Sequence, residues 1–296
     1  MLKSNILTQV EQIYRDGGNI SKFLKSTDCD SLESILISYE FQAGSYVDGY
    51  KKNPDVRHKY SQAIIDELKN LGSFNSILEA GVGEATTFKF VMNSDMLSYD
   101  DYYSFDISWS RLNVAKDFLK DAPKQNNQYS FVAELASIPL CNDAIDIVYT
   151  SHSIEPNKGH EKEILQELYR ITKNYLVLFE PDYDFASDEG KARMDEHSYI
   201  QNLSGIAQEL GYDVIKRELL PFIINPLNPT SVIVIKKSDV RTRSKKNIFQ
   251  CPVSKSELIN RDEIFFAPEP RLMYPVIQGI PCLLDSHAIL GCKYKG

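Results

Sequence analysis

Residues 76–87 constrain the fold of this chain more than any other part of the sequence. Their pattern, SILEAGVGEATT, predicts a short buried strand, a glycine turn and the opening of a helix. Gly81 and Gly83 lack a Cβ atom, so the backbone at these positions can turn tightly and approach a ligand closely. The following helix would add unpaired N–H groups and the positive end of its dipole. The segment therefore predicts a site for a nucleoside-containing ligand.

The residues around the two glycines indicate which nucleoside ligand the turn would hold. A dinucleotide site has a third glycine that lets helix and strand pack closely, and Thr86 stands at that position here. Glu79, two residues before the first glycine, would repel a pyrophosphate and attract a cationic sulfonium or ammonium group. The sequence thus favours an S-adenosylmethionine site over a nicotinamide site. Residues 79–83, EAGVG, resemble the first motif of the class I S-adenosylmethionine-dependent methyltransferases, which has the form acidic-x-Gly-x-Gly.

Hydrophobic patterning predicts alternating helices and strands around this turn. Helices are expected over residues 56–71 and 198–210, and apolar runs after the turn predict strands at 102–106, 129–133, 144–150 and 175–180. Two further strands, at 212–217 and 230–236, would form a terminal antiparallel pair. This order is typical of an α/β, Rossmann-like, doubly wound sheet of seven strands with a terminal antiparallel strand. The resemblance to class I methyltransferases covers about residues 40–237.

The flanking segments divide the chain into four predicted parts. We expect an N-terminal helical cap and lid at residues 1–55, the methyltransferase domain at 56–237, a basic linker at 238–247 and a C-terminal module at 248–296. Residues 41–50 are rich in glycine and tyrosine and are predicted to be too irregular for a helix. In methyltransferases such a segment often forms a lid over the cofactor. The resemblance therefore implies lid contacts from Gln42, Tyr46 and Tyr50.

The C-terminal module resembles the small zinc-ribbon proteins that activate methyltransferases. Those proteins begin Cys-Pro-x-Cys and end in a Tyr-Pro-x-x-x-Gly-Ile-Pro strand, and residues 251–254 and 274–281 follow this outline. Ser254 replaces the second cysteine, and residues 259–273 contain no cysteine, so four thiolates cannot surround a zinc ion. We expect a metal-free, degenerate zinc-ribbon-like α+β module that packs on the catalytic domain or shapes substrate access.

Further cofactor contacts are predicted at the ends of the next strands. Asp106 ends the second predicted strand, 25 residues after Gly81, close to the offset at which nucleotide-binding folds place an acid on the ribose hydroxyls. Its alternative role is to cap the next helix, although Ser108 or Ser110 can do so. The resemblance implies four more contacts: Ile107 beside the ribose acid, Glu134 and Leu135 at the adenine, and Ser151 after the fourth strand.

The segments after the fourth and fifth strands carry the predicted catalytic residues. His152 follows the fourth strand, where a class I methyltransferase presents its substrate, and an imidazole can take a proton from a hydroxyl near neutral pH. The alternative is a structural histidine. Asp182 follows the fifth strand at the same edge of the sheet. The Asn/Asp-Pro-Pro-Tyr/Phe motif for methylating amide or exocyclic nitrogens is absent. The sequence therefore favours O-methylation of a small-molecule or sugar hydroxyl.

Composition narrows the partners and the compartment. The formal net charge of −8 argues against a nucleic-acid partner, because it would repel a phosphate backbone. No apolar run is long enough to insert into a membrane. Five scattered cysteines, with no apolar signal core at residues 1–5, predict a reduced cytoplasmic protein. The sequence leaves a homodimer open.

Three alternatives to a small-molecule enzyme remain at this point. The acceptor could be RNA or protein, reached through the basic linker and the activator-like module. The chain could also be a non-catalytic, S-adenosylmethionine-binding regulatory protein, because fold does not imply function. A nicotinamide dehydrogenase is the most distant alternative, since Glu79 and Thr86 both disfavour it.

Overall fold

The computed structural model describes residues 4–27, 29, 31–122, 127–197, 199–238 and 247–294. The helices are α1 Ser4–Arg15, α2 Ile20–Leu24, α3 Ser31–Gln42, α4 Ser45–Lys52, α5 Pro54–Lys69, α6 Phe88–Met92, α7 Trp109–Phe118, α8 Glu161–Ile171, α9 Asp188–Glu196 and α10 Leu203–Glu209. The strands of the main sheet are β1 Ser76–Ala80, β2 Asp101–Asp106, β3 Asn127–Val132, β4 Ile145–Ser151, β5 Thr172–Pro181, β6 Asp213–Leu219 and β7 Thr230–Lys236. The C-terminal strands are β8 Ile259–Arg261, β9 Ile264–Ala267, β10 Leu272–Ile277, β11 Ile280–Pro281 and β12 Ile289–Leu290.

The main sheet has seven strands in the order β3-β2-β1-β4-β5-β7-β6. Strands β1 to β5 run parallel to one another, whereas β7 is antiparallel to both β5 and β6. This arrangement confirms the doubly wound sheet with a terminal antiparallel strand. The strand order reverses between β1 and β4, and ligands of open α/β sheets bind outside the carboxyl ends of the strands at such a point.

The core lies on both faces of the sheet. All five residues of β1 are buried, as expected for a parallel strand covered by helices on each side. Leu78 packs with residues of α8 and α10 in one cluster, and Ile77 packs with residues of α5, α6 and α7 in the other. A third, smaller cluster joins α1, α2 and α3. The N-terminal helices therefore have a core of their own and also lie over the sheet.

Two helical predictions need correction. Residues 41–50 were expected to be irregular, but α3 runs to Gln42 and α4 begins at Ser45, with Gly44 between them at a φ of 102°. The reason is the Glu84 carboxylate, which caps α4 from a distant part of the chain. A helix was also expected from residue 198, yet α10 begins at Leu203, where the Asn202 side chain accepts a hydrogen bond from the Gly205 N–H. Residue 198 itself lies outside the described residues.

The C-terminal residues form a small antiparallel module that is joined to the main sheet. Strands β8 to β12 pair with one another, and residue 282 bridges to Val132 of β3. The Leu283 N–H donates to the Val132 carbonyl at 2.9 Å, and the Cys141 N–H donates to the Ile248 carbonyl at 2.8 Å. The module therefore packs on the main sheet. Most of the basic linker, residues 239–246, lies outside the described residues.

The zinc-ribbon resemblance of this module is not supported by any further observation. The sulfur of Cys251 lies 3.3 Å from the Tyr274 hydroxyl in a buried position. Within the described residues, no group of three or more side chains could hold a metal ion. The described helices also include none that is long and apolar enough to cross a lipid bilayer.

Candidate functional site

A cavity of about 250 Å³ opens at the carboxyl ends of β1, β2 and β4, beneath α3 and α4. It brings together most of the residues that the sequence singled out. Those lining it are Tyr46, Glu79, Gly81, Asp106, Ile107, Glu134, Leu135, Ser151 and His152. The cavity therefore lies at the predicted position, where the strand order of the sheet reverses.

The glycine turn allows close backbone approach, as expected. Gly81 and Gly83 have φ angles of 73° and 56°. A Cβ on Gly81 would lie 2.3 Å from that of Ser153, and one on Gly83 would lie 2.5 Å from Arg111 Nη2. Helix α6, however, starts only at Phe88 and is five residues long. The expected contribution of a helix dipole is therefore wrong, and the turn itself shapes the site.

Asp106 holds the glycine turn and faces the cavity. Its Oδ2 accepts a hydrogen bond from the Gly83 N–H at 2.8 Å, and its Oδ1 accepts one from the Ser108 N–H at 3.0 Å. The cap of α7 is Ser108, whose hydroxyl accepts from the Arg111 N–H. Each carboxylate oxygen of Asp106 keeps a further lone pair, so the group can also accept hydrogen bonds from two hydroxyls of a ligand.

Glu79 and Arg57 lie at the β1 end of the cavity. The Tyr149 hydroxyl donates to Glu79 Oε2 at 2.5 Å, and burial raises the pKa of this carboxyl to about 8. The Arg57 guanidinium, on α5, lines the same cavity and partly opposes that rise in pKa. A carboxyl and a guanidinium side by side can bind the ammonium and carboxylate groups of an α-amino acid. Sequence reasoning missed Arg57, whose only signal is its place in the helix before the glycine turn.

The opposite end of the cavity is lined by the residues after β3. Ala133, Glu134 and Leu135 contribute one acidic and two apolar side chains there. Burial raises the pKa of Glu134, and the charge of Asp285 in the C-terminal module raises it further. None of the lining residues belongs to that module. Within the described residues, the module therefore affects the pKa of Glu134 without lining the cavity.

Three sets of contacts hold α3 and α4, the predicted lid, against the glycine turn and α7. The Glu84 carboxylate accepts hydrogen bonds from the N–H groups of residues 44, 46 and 47, at 3.0, 3.3 and 2.7 Å, and so caps α4. Glu40 of α3 accepts from the Ser108 hydroxyl at 2.8 Å and from the N–H of residue 110 at 3.2 Å, at the start of α7. The Arg111 guanidinium lies between the rings of Tyr39 and Tyr46, 4.6 and 4.7 Å from their centroids. Sequence reasoning missed Glu84 and Arg111.

Polar side chains surround His152 on the side of the cavity facing β7. Its Nδ1 lies 3.0 Å from Glu155 Oε2, and its Nε2 lies 2.7 Å from the Thr230 hydroxyl. Asn228 lines the cavity here, and its amide Nδ2 donates to the same Glu155 oxygen at 3.3 Å. Glu180 lies behind this group, and burial raises its pKa to about 7.

Four predicted residues do not line the cavity. Asp182 is paired with Arg217 through both carboxylate oxygens, at 2.6 and 2.8 Å, and also accepts from the Ser231 hydroxyl. These partners occupy the carboxylate, so the expected catalytic role of Asp182 is not supported. Gln42 and Gly83 are also not among the lining residues, although the Gly83 N–H donates to Asp106, which does line the cavity. Tyr50, a further expected lid contact, packs against Phe90 and Phe118 instead.

Comparison with solved structures shows that the fold of this chain is similar to that of known methyltransferases. No protein-family model and no curated protein sequence matches the chain. The magnesium protoporphyrin IX methyltransferase of Synechocystis PCC 6803 with bound SAM has a TM-score of 0.52 and 13% identity over 72% of this chain and 100% of its own. The same enzyme with bound SAH has a TM-score of 0.51 and 12% identity over 68% of this chain and 99% of its own. A third similar structure is a chain of the complex between the Haloferax volcanii Trm112 methyltransferase activator and the putative methyltransferase. Its TM-score is 0.49, with 12% identity over 66% of this chain and 94% of its own. The chain therefore has the fold of class I methyltransferases.

Proposed function

We propose that this protein is an S-adenosylmethionine-dependent methyltransferase. The observation that carries the proposal is the order of charged groups along one cavity. Glu134 lies at the end expected for adenine, Asp106 lies beside the glycine turn where the ribose is expected, and Glu79 with Arg57 lies at the amino-acid end. A nucleoside that carries an α-amino acid has complementary groups in the same order.

The packing and charge around the glycine turn support a nucleoside ligand of this kind. The two glycines pack directly against the Ser153 and Arg111 side chains, where a Cβ would clash, and the Ser153 hydroxyl is buried with no hydrogen-bond partner within the described residues. A dinucleotide would fit poorly, because its pyrophosphate would meet the carboxylates of Glu84 and Asp106 around the turn. The fold is shared by proteins with other functions, so the argument rests on this site rather than on the fold.

In this proposal, the protein contributes binding, orientation and the exclusion of water. Asp106 would hold the ribose hydroxyls, and Glu79 and Arg57 would hold the ammonium and carboxylate groups. When bound, the cofactor supplies an electrophilic methyl group on a sulfonium sulfur, which passes to the acceptor while the electrons of the broken bond stay on sulfur. The lid formed by α3 and α4 would keep water out, and fixed orientation supplies much of the rate enhancement in such displacements.

We further propose that the acceptor is a small molecule or sugar with a reactive hydroxyl. Residues of α3 and α4 line the cavity and cover the proposed acceptor position, which favours a compact acceptor over a polymer. His152 lines the cavity and can take the hydroxyl proton. The net charge of −8 also disfavours a nucleic-acid acceptor.

Calorimetric binding of S-adenosylmethionine and S-adenosylhomocysteine tests the cofactor assignment. We expect Asp106→Asn to weaken both ligands by about tenfold or more, because a carboxylate accepts two hydroxyls better than an amide does. Asparagine retains one acceptor oxygen, so it disturbs the Gly83 turn less than alanine would. Asp101→Asn, at the other end of the same strand, is the matched control and should bind normally. Absence of binding to the wild type, or an equal loss in both variants, would contradict the proposal.

A labelled methyl group tests the acceptor class. The protein is incubated with methyl-tritiated S-adenosylmethionine and an ultrafiltered extract of small metabolites, with Asp106→Asn as the control. We expect label in small products that resist mild alkali, as ethers do. Release of the label by alkali would instead identify an ester and a carboxyl acceptor, and label in RNA or protein of an unfiltered extract alone would exclude a small acceptor.

A further inference from the structure

We propose that the acceptor is an amphipathic molecule, with a hydroxyl-bearing end that lies against Glu155 and an apolar part that lies along Leu32 and Ile224. The inference deepens the proposed function and rests on it for the role of the bound molecule. Binding of amphipathic molecules to these residues, by contrast, can be measured without cofactor or turnover. Failure of the inference can therefore be separated from failure of the proposed methyl transfer.

Three large apolar side chains of the cavity lining are exposed to solvent. Leu32 of α3 and Tyr46 of α4 are each 43% exposed, and Ile224, in the loop between β6 and β7, is 39% exposed. Because these side chains both line the cavity and face solvent, they lie at its opening. Single exposed apolar residues are ordinary on a protein surface, but several around one opening indicate a surface that an apolar group of a ligand covers.

Helix α3 has apolar side chains on two sides. Ile37 is buried in the cluster that α3 forms with α1 and α2. Leu32, Ile35 and Tyr39 recur at the spacing of one helical face, and all three line the cavity instead. Neither Leu32 nor Ile35 belongs to a core cluster of the described residues. A helix that is apolar on both sides normally buries both, so the second side is suited to an apolar ligand.

Polar groups with unused hydrogen-bonding capacity line the same cavity. Glu155 Oε2 interacts with His152 and Asn228, whereas Glu155 Oε1 accepts no hydrogen bond from the described residues. Asn225 Oδ1 accepts from the Leu227 N–H at 3.1 Å, and in the described part of the chain the Asn225 amide Nδ2 has no partner. One group accepts and the other donates, which are the two roles of a hydroxyl. The negative charge of Glu155 disfavours an anionic group at this end of the acceptor.

The loop between β6 and β7 joins the apolar and polar parts of this surface. Ile224 and Asn225 are consecutive, and both line the cavity. The Asn228 N–H donates to the Asn225 carbonyl at 2.9 Å, and the Asn228 amide donates to Glu155 at 3.3 Å. The groups assigned to the cofactor, around the glycine turn and after β3, do not include this loop. A molecule whose hydroxyl reaches Glu155 would therefore have an apolar side chain beside its remaining atoms.

Nuclear magnetic resonance titration with two isomeric diols tests the proposal. Both 1,2-hexanediol and 1,6-hexanediol carry a pair of hydroxyls, but only the 1,2 isomer ends in an apolar chain. In the free protein we expect 1,2-hexanediol to shift the methyl signals of Leu32 and Ile224 and the side-chain amide signals of Asn225. It should bind about tenfold more tightly than its isomer, because each methylene on a half-exposed surface adds about twofold. Equal affinities for the two isomers, or shifts confined to other residues, would overturn the proposal.

An exposed leucine outside the cavity lining provides the matched control. Leu32→Ser and Ile224→Ser should each weaken 1,2-hexanediol by about fivefold and leave 1,6-hexanediol within about twofold, because only the apolar chain loses its contact. These variants also assign the methyl signals. Leu290→Ser, in the C-terminal module and 69% exposed, should change neither affinity. An equal loss in the Leu290 variant would mean that the diol binds exposed apolar residues without selection, which contradicts the inference.

S-adenosylhomocysteine distinguishes this surface from the cofactor site. Saturation with it should leave 1,2-hexanediol bound, and Leu32→Ser and Ile224→Ser should keep its affinity within about twofold of the wild type, because separate sites are changed independently. Displacement of the diol, or a loss of S-adenosylhomocysteine affinity in both variants, would assign the surface to the cofactor and overturn the inference. Absence of S-adenosylhomocysteine binding to the wild type would contradict the proposed function, and the diol titration would still decide the inference.

The metabolite-extract assay then gives the class of the acceptor. We expect the labelled products to be retained on a reversed-phase column, as amphipathic ethers are, and to be formed more slowly by Ile224→Ser than by Leu290→Ser at low extract concentration. Label only in products that pass through the column in water would overturn the proposal. Absence of label in every fraction would contradict methyl transfer itself, which the diol titration does not depend on.

Discussion

At the scale of single residues, the protonation of Glu79 should make the affinity of the site for a cationic ligand depend on pH. Its carboxyl is buried at the end of β1 and accepts a hydrogen bond from the Tyr149 hydroxyl. Burial raises its pKa to about 8, so in the free protein it is largely protonated at neutral pH. A bound cation favours the ionised form, and the affinity for such a ligand must therefore depend on pH.

We predict that S-adenosylmethionine binds about tenfold more tightly at pH 8.5 than at pH 6.5. Below the pKa of Glu79 the carboxyl must lose a proton to pair with the cation, so affinity rises with pH and levels off above about pH 8. Calorimetry in two buffers with different ionisation enthalpies would measure the proton released on binding. Glu79→Gln is expected to release none and to have a flat pH profile between these values. Proton uptake by the wild type would contradict this assignment.

At the scale of elements, the lid and the glycine turn hold each other in place. Glu84 belongs to the turn and caps α4 of the lid, whereas Glu40 belongs to α3 and binds the start of α7 beside Asp106. The Arg111 guanidinium then packs between the two tyrosine rings of the lid and over Gly83. Helices α3 and α4 therefore cannot move away from the cavity without breaking contacts at the turn itself.

Glu84→Gln should loosen this connection. The carboxylate accepts three backbone N–H groups in a buried position, and an amide can replace only part of that set, so we expect a loss of about 2 kcal/mol in the free energy of unfolding. Hydrogen exchange should become faster in residues 44–47. Asp48→Asn, on the exposed side of the same helix, is the control and should change neither quantity measurably. Unchanged exchange in Glu84→Gln would show that the cap does not hold the lid.

The sequence predicts most of these elements, and its failures have a common cause. Hydrophobic patterning located the strands and the glycine turn, because those signals lie within a few residues of one another. Helix α4 was missed because its cap, Glu84, lies 38 residues from Tyr46 in the chain. The pairing of Asp182 with Arg217, 35 residues away, likewise has no local signal in the sequence. Such contacts follow from the folded chain and have no local pattern.

At the scale of the whole molecule, the C-terminal module is part of the core rather than an appendage. Leu283 packs in the cluster on one face of the sheet, whereas Ile280 and Cys282 pack in the cluster on the other. The Trp109 Nε1–H and the Lys116 ammonium of α7 also donate to the carbonyls of residues 277 and 278, at 3.3 and 2.5 Å. The module and the main sheet should therefore unfold together.

We predict that Leu283→Ala destabilises the whole chain by about 2 to 5 kcal/mol, the usual range for a buried leucine. The expected result is one thermal transition at a lower temperature, because the void left by the shortened side chain lies in a core that the module shares with the main sheet. Leu290→Ala in the same module is the control, since that side chain is 69% exposed. A separate early transition, with the main transition unmoved, would show that the module folds independently.

The position of this module also limits how copies of the chain can associate. Outer strands of an open sheet expose unpaired N–H and C=O groups to which a second sheet can add. The module bonds to the carboxyl-terminal end of β3 and so shortens the stretch available there. On the opposite side, β6 carries the charged residues Asp213, Lys216, Arg217 and Glu218 and an irregularity in its pairing with β7. A homodimer of this protein would therefore form through its helical faces rather than by extending the sheet.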